Sequence, residues 1–137
     1  MPLLQRIVAP CGRHKVTKYS STLEGLGSAG AAIVAELAPR PEDIVVTQHT
    51  TSPFHTTDLG VYLRRFGVSR LLLTGYSTTG VVEGTLRDAR DQDYDCVVVR
   101  DCCAAATVQE HDTCMDIVFP RMAWVASVDE VIHALRG

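Results

Sequence analysis

The sequence predicts an α/β fold whose mostly parallel sheet is covered by helices on both faces. Two observations predict it. From residue 30 onward, short apolar runs alternate with stretches of helical periodicity, which is typical of successive βαβ units. Most of the apolar runs are continuous, as expected for strands that are buried on both sides. Because no internal repeat or composition break divides the chain, we expect residues 1–137 to form a single domain.

Four strands are predicted from the apolar runs, and the N-terminal part of the chain is atypical. The strands are expected at 43–48 (DIVVTQ), 70–75 (RLLLTG), 95–100 (DCVVVR) and 122–126 (MAWVA). Residues 1–29 follow a different pattern. The short run RIVAP at 6–10 is a further strand candidate, but residues 11–30 are rich in Gly, Ser and Thr and predict a long loop.

One helix is predicted from apolar spacing alone. Leu59, Tyr62, Leu63 and Phe66 are spaced i, i+3, i+4 and i+7, so they share one helical face. Thr56 or Thr57 is the expected cap before this helix, and Gly67 follows its end.

Three more helices are predicted from their terminal residues. A Thr or Ser followed three positions later by Glu forms a capping box, which predicts helices over 108–118 and 128–135. Residues 30–37 predict a short helix that ends before Pro39 and Pro41, because proline cannot continue a helix.

The composition excludes several classes of function. The net charge is -3 with only 13 scattered Lys and Arg residues, so a nucleic-acid partner is not expected. Apolar stretches are too short for a membrane span, which favours a soluble, cytoplasmic protein. The five cysteines are an odd number without CxxC spacing, so they predict reduced thiols rather than disulfides or a zinc site. Nothing in the sequence calls for a metal or another cofactor.

The segments SPFHTTDL (52–59) and TGYSTTGVVEGTLRDA (74–89) occur in an order and at a spacing that resemble the isochorismatase-like family, also called the cysteine hydrolase family. The resemblance covers residues 27–135. It implies a three-layer α/β/α sandwich, here shortened at the N-terminus, and commonly a dimer or tetramer. Most members of that family hydrolyse small amides with an aspartate, a lysine and a cysteine.

None of these three catalytic residues has a counterpart in this chain when the resemblance is followed position by position. The position of the lysine falls on Gln48 and that of the cysteine on Val81, while the first strand with its aspartate has no clear counterpart. Because a valine side chain has no lone pair, it cannot attack a carbonyl carbon. Some members that cleave isochorismate also lack the cysteine, but they resemble the others in keeping the aspartate as acid, and this chain has no Asp before Asp43.

Candidate site residues follow from the fold class, because ligands of parallel sheets bind beyond the carboxyl ends of the strands. The turn YSTTG also presents backbone N–H groups at a helix start, where anions bind. We favour structural roles over chemical ones for His55, His111 and Cys102. The candidate acid or base residues are His49, Tyr76 and Asp101, and the candidate ligand-binding residues are Gln48, Ser77, Thr78, Thr79, Gly80 and Val81.

Two hypotheses for function remain open. The first is a diverged enzyme that binds a small anionic or cyclic metabolite and works by noncovalent acid/base chemistry. The second is a catalytically inactive member that serves as a binding or structural subunit of a homo-oligomer, or of a hetero-oligomer with an intact paralogue. A missing central strand would leave backbone groups unpaired, so the second hypothesis predicts obligate oligomerisation.

Overall fold

The structure, a computed structural model, describes residues 16–20, 35–38, 40–48 and 50–137. Three predictions from the sequence fall outside these residues. They are the strand candidate at 6–10, the first part of the predicted helix at 30–37, and the candidate acid or base His49.

All strand pairings in the described residues are parallel, as predicted. Strand β1 (Val16–Ser20) pairs with β2 (Ile44–Gln48) in one sheet, and β3 (Arg70–Tyr76), β4 (Asp95–Ala104) and β5 (Trp124–Ala126) form a second sheet in that order. The prediction of a continuous loop over residues 11–30 is wrong, because β1 lies within it. The strand forms through pairing with the apolar β2, and such tertiary pairing overrides a weak local preference.

Strand β4 is four residues longer than predicted. Its register against β3 shifts after Leu73, and pairing then resumes with Gly75 opposite Cys103 and Tyr76 opposite Ala104. The prediction that Asp101 follows a strand is therefore wrong, since this residue lies within β4. Tyr76 likewise is the last residue of β3 rather than the first residue of the turn. The sequence missed both extensions because a bulge has no apolar signature of its own.

Within the described ranges, five α-helices and several shorter helical turns connect the strands. The prediction of one continuous helix over 108–118 is only partly right, since its second half is a π-helix. The α-helices are α1 (Pro53–Thr56), α2 (Leu59–Arg65), α3 (Glu83–Asp91), α4 (Val108–Thr113) and α5 (Val128–Arg136). The π-helices are Thr78–Val82 and Cys114–Val118, and the 3-10 turns are Ala35–Leu37 and Phe119–Arg121.

The predicted starts of α4 and α5 and the glycine after α2 are confirmed, whereas the N-cap residue of α2 is Asp58 rather than Thr56 or Thr57. Thr107 and Ser127 each accept a hydrogen bond from the backbone N–H three residues later, and the Glu at that position closes the box. The Thr57 hydroxyl accepts from the Leu59 N–H at the start of α2. Gly67 follows α2 with a φ of 62°, a left-handed conformation that favours glycine.

The sheet β3–β4–β5 has a core on each of its faces. Cys96 and Val98 of β4 pack with α2 and α3 on one face, whereas Val97 and Val99 pack with α5 on the other. The alternation follows from the two-residue period of a strand. Helices therefore cover both faces of this sheet, as the predicted three-layer fold requires. In the part of the chain that the structure describes, no helix is long and apolar enough to cross a membrane.

Candidate functional site

The turn between β3 and α3, which we call the elbow (residues 77–82), is closed by its own backbone. The Tyr76–Ser77 peptide bond is cis. The Ser77 carbonyl accepts hydrogen bonds from the N–H groups of Gly80 at 3.3 Å and Val82 at 3.0 Å. Two backbone donors that could have held an anion are thus already engaged.

The first residue of the π-helix fixes the elbow to a neighbouring helix. Thr78 is fully buried at 0% exposure, and its hydroxyl lies 2.9 Å from Nδ1 of His111 on α4. A hydroxyl and an imidazole can each donate or accept, so the pair is satisfied with the proton on either partner. Our structural interpretation of His111 is consistent with this contact, but no local pattern identifies Thr78 as its partner.

The position that the resemblance assigns to the cysteine carries a half-buried valine. Val81 lies in the π-helix that leads into α3, and the Thr85 hydroxyl donates to its carbonyl oxygen at 2.6 Å. On its N-terminal side, a Cβ at Gly80 would lie only 2.8 Å from Oγ of Ser77, so the Ser77 side chain packs closely over the glycine. No nucleophilic atom is present on the side chain of residue 81.

The side-chain amide of Gln48, at the end of β2, has no hydrogen-bond partner in the described part of the chain. Its side chain is 0% exposed, and both Oε1 and Nε2 are buried and unpaired among these residues. A buried polar atom without a partner is destabilising by about 1–3 kcal/mol. Such atoms are rare in folded proteins and are explained by a bound water, a ligand or a functional role.

The segment after β2 lies against the start of α3. A Cβ at Gly84 would lie 2.8 Å from Cγ2 of Thr51, so only glycine lets the segment approach this closely. Further along, His55 Nε2 lies 2.9 Å from Asp88 Oδ2 of α3. Gln48 is three residues before Thr51, so the segment that follows β2 reaches the first turn of α3. The sequence signal for this contact was the glycine within a helical pattern.

Of the three candidate acid or base residues, the structure describes Tyr76 and Asp101. Tyr76 is 66% exposed at the end of β3, just before the elbow. Asp101 is exposed, and its Oδ1 accepts a hydrogen bond from the Val128 N–H at 2.8 Å, at the N-terminus of α5. This carboxylate therefore caps the N-terminus of α5. His49 lies outside the described residues.

The cysteines with shifted pKa values are poor nucleophiles at neutral pH. Burial raises the pKa of Cys96 to about 11 and that of Cys103 to about 11. Burial also raises the pKa of Cys114, and the carboxylate of Glu83 adds to the effect. Since the thiolate is the reactive form, these three residues are protonated and unreactive near pH 7.

Two charged residues of α3 form an ion pair. Arg87 donates to Oε1 of Glu83 from Nε at 3.0 Å and from Nη2 at 2.7 Å. Among the residues that the structure describes, no three His, Cys, Asp or Glu side chains are grouped to hold a metal ion.

The sequence matches one family model and several curated proteins. Residues 16–130 match the model of the isochorismatase domain. The chain is 36% identical over 101 residues to YecD, an uncharacterized isochorismatase family protein of Escherichia coli O157:H7, covering 74% of this chain and 54% of YecD. It is 34% identical over 117 residues to the ureidoacrylate amidohydrolase RutB of Stutzerimonas stutzeri (strain A1501). The match covers 85% of this chain and 47% of RutB. The chain spans about half the length of these relatives.

Solved structures give the same result for the fold. An isochorismatase family protein from Burkholderia thailandensis superposes with a TM-score of 0.82 at 29% identity, covering 88% of this chain and 72% of that one. An isochorismatase-like hydrolase from Alkaliphilus metalliredigens also superposes with a TM-score of 0.82, at 28% identity. The match covers 89% of this chain and 70% of that one.

Proposed function

Because this chain belongs to the isochorismatase family, we propose that it binds a small cyclic metabolite between Gln48 and the elbow and acts on it without a covalent intermediate. The observation that carries the proposal is the valine at position 81, half-buried at the elbow. A second observation supports a ligand at this place, namely the buried and unpaired amide of Gln48 in the described residues.

Noncovalent chemistry leaves proton transfer as the catalytic task. A general acid or base must reach the reacting atom through a hydrogen bond. We assign this role to Tyr76, which is 66% exposed at the end of β3, or to His49, which follows Gln48 directly in the sequence. Asp101 is not assigned this role, because its carboxylate already accepts from the backbone of α5. RutB, a relative that is an amidohydrolase of ureidoacrylate, supports a small polar molecule as the substrate.

A ligand screen tests this function. We expect at least one member of a panel of small amides, enol ethers and cyclic carboxylates to raise the melting temperature, since a ligand at 100 times its Kd stabilises by about 2.7 kcal/mol. Intact-mass spectrometry is expected to find no adduct after incubation with the panel. Val81→Phe should fill the site and abolish the thermal shift, whereas Val61→Phe on the exposed face of α2 should leave it unchanged.

Two outcomes would contradict the proposal. One is a complete lack of both turnover and stabilisation across the panel. The other is a stable covalent adduct that maps to a cysteine, because it would mean that a thiol does the chemistry.

A second candidate function is that of a noncatalytic subunit, and the edge of β3 favours it. In the described residues β3 pairs only with β4, and β1 and β2 form a separate sheet. Leu72 of β3 is 47% exposed although its neighbour across the sheet, Val97, is buried. Parallel sheets are normally covered on both faces, and an open edge binds further strands. A partner that covers this region would supply the strand pairing and the burial of Leu72 that the described residues do not provide.

Sedimentation velocity tests the subunit hypothesis. We expect an oligomer at micromolar concentration, and we expect Leu72→Lys to shift the distribution toward monomer by placing a charge in the contact. The matched variant Leu135→Lys, on the exposed part of α5, controls for a general effect of charge. A wild-type protein that is monomeric and well folded at all concentrations would argue against this function.

A further inference from the structure

We infer that Gln48 selects neutral ligands that present an amide N–H and C=O side by side on one edge, as a lactam does, over carboxylates. This inference rests on the proposed function and names the ligand class of the same site. Gln48 would thereby be a residue that determines specificity rather than one that takes part in the chemical step.

The hydrogen-bonding capacity of Gln48 defines the ligand it requires. Its Nε2 is a donor and its Oε1 an acceptor, and both are buried and unpaired among the described residues. A lactam offers one acceptor and one donor in the same plane, so it pairs with both atoms at once. A carboxylate offers only acceptors, so Oε1 would stay unpaired and would face a like partial charge.

The charges around the elbow also disfavour an anion. Gln48 is neutral, and the guanidinium of Arg87 on α3 is held by Glu83 through two hydrogen bonds. The His55 ring contacts the carboxylate of Asp88. The Ser77 carbonyl already accepts hydrogen bonds from two N–H groups of the elbow. Arg87, His55 and these two N–H groups are therefore already engaged, whereas a carboxylate needs a paired cation when it is buried.

Ligand pairs that differ in one feature test the inference directly. We expect 2-pyrrolidinone to bind the wild-type protein, and N-methyl-2-pyrrolidinone, which lacks the donor, to bind about tenfold more weakly, as the loss of one hydrogen bond implies. Cyclopentanecarboxylate, an acceptor-only ligand of similar size, is also expected to bind about tenfold more weakly. Titration calorimetry or ligand-observed NMR would measure the three dissociation constants.

Substitution of Gln48 identifies the residue responsible. Gln48→Leu removes both unpaired polar atoms while keeping a similar volume, so we expect the melting temperature to be maintained or raised. The same variant should bind 2-pyrrolidinone and its N-methyl analogue equally weakly. Gln92→Leu removes an exposed glutamine elsewhere and should keep the wild-type preference.

The possible results separate this inference from the proposed function. Tighter binding of the carboxylate would overturn the ligand class but leave noncovalent small-molecule binding intact. A preference for 2-pyrrolidinone that persists in Gln48→Leu would overturn the assignment to Gln48. If no probe binds and the broader panel also gives no stabilisation, both proposals fail. If the panel binds but the lactam and its N-methyl analogue bind equally to the wild type, Gln48 is satisfied by a buried water and the inference is wrong.

Discussion

Leu86→Ala is expected to lower the free energy of unfolding by about 2–5 kcal/mol, the range for truncation of a fully buried leucine. Leu86 lies on α3 at 0% exposure, in the core that also contains Leu63 and Phe119. The truncation leaves a cavity in this core, which also contains Val82 of the elbow. Since a domain of this size is stable by only about 5–15 kcal/mol, the variant should lose a large part of its stability.

Urea denaturation followed by circular dichroism would measure the effect of Leu86→Ala. The matched control is Leu135→Ala, the same chemical change at an exposed position of α5, which should alter stability by no more than about 0.5 kcal/mol. Equal effects of the two substitutions would mean that α3 does not pack on the core as the structure has it.

Thr78→Val is expected to destabilise the protein by about 1–3 kcal/mol and to weaken ligand binding at the elbow. Valine has nearly the shape of threonine, so the packing is kept. The hydrogen bond to His111 Nδ1 is lost, and the imidazole nitrogen is left without this partner. Because this bond joins the elbow to α4, we expect the backbone of the elbow to lose its fixed position.

Two variants serve as controls for Thr78→Val. Thr78→Ser retains the hydroxyl and should restore most of the stability and binding. Thr79→Val makes the same change at the adjacent exposed position and should have little effect on stability. Thermal unfolding and the affinity for a ligand from the panel would be measured in parallel. An unchanged Thr78→Val variant would show that the contact with His111 contributes nothing to the elbow.

The strands and helix ends were predictable because their signals are local. Continuous apolar runs identified β2, β3 and β4, and the capping boxes located the first residues of α4 and α5. Each of these signals depends on residues that are near in sequence. The family resemblance, carried by segments around residues 52–59 and 74–89, agrees with the match over 16–130.

The features that the sequence did not predict depend on contacts between distant residues. Strand β1 consists of Val, Thr, Lys, Tyr and Ser and forms by pairing with β2, 28 positions further along. The extension of β4 requires the shifted register against Gly75. The bond between Thr78 and His111 joins residues 33 positions apart. Such contacts leave no periodic pattern in a single sequence, so propensity and spacing do not reveal them.

The candidate site was predicted only in part, because some of its features also depend on contacts between distant residues. The fold class placed the elbow residues Ser77–Val81 at the carboxyl end of a strand, and the structure has them there. The burial of Gln48 and the lack of a partner for its amide among the described residues follow from the assembled structure alone. Asp101 was a candidate because it follows an apolar run, yet its carboxylate accepts a hydrogen bond from the Val128 backbone N–H at the start of α5.

The all-parallel pairing also bears on how quickly the chain reaches its native state. Each pairing joins segments separated by an intervening crossover, as Arg70 with Asp95 or Val97 with Trp124 illustrates. Contacts of such large sequence separation form slowly, because the entropy of closing the loop is lost before the pairing is gained. During that interval the apolar edge of β3 is exposed to other unfolded chains. Refolding yield is therefore expected to fall as protein concentration rises, and to recover when a chaperone isolates single chains.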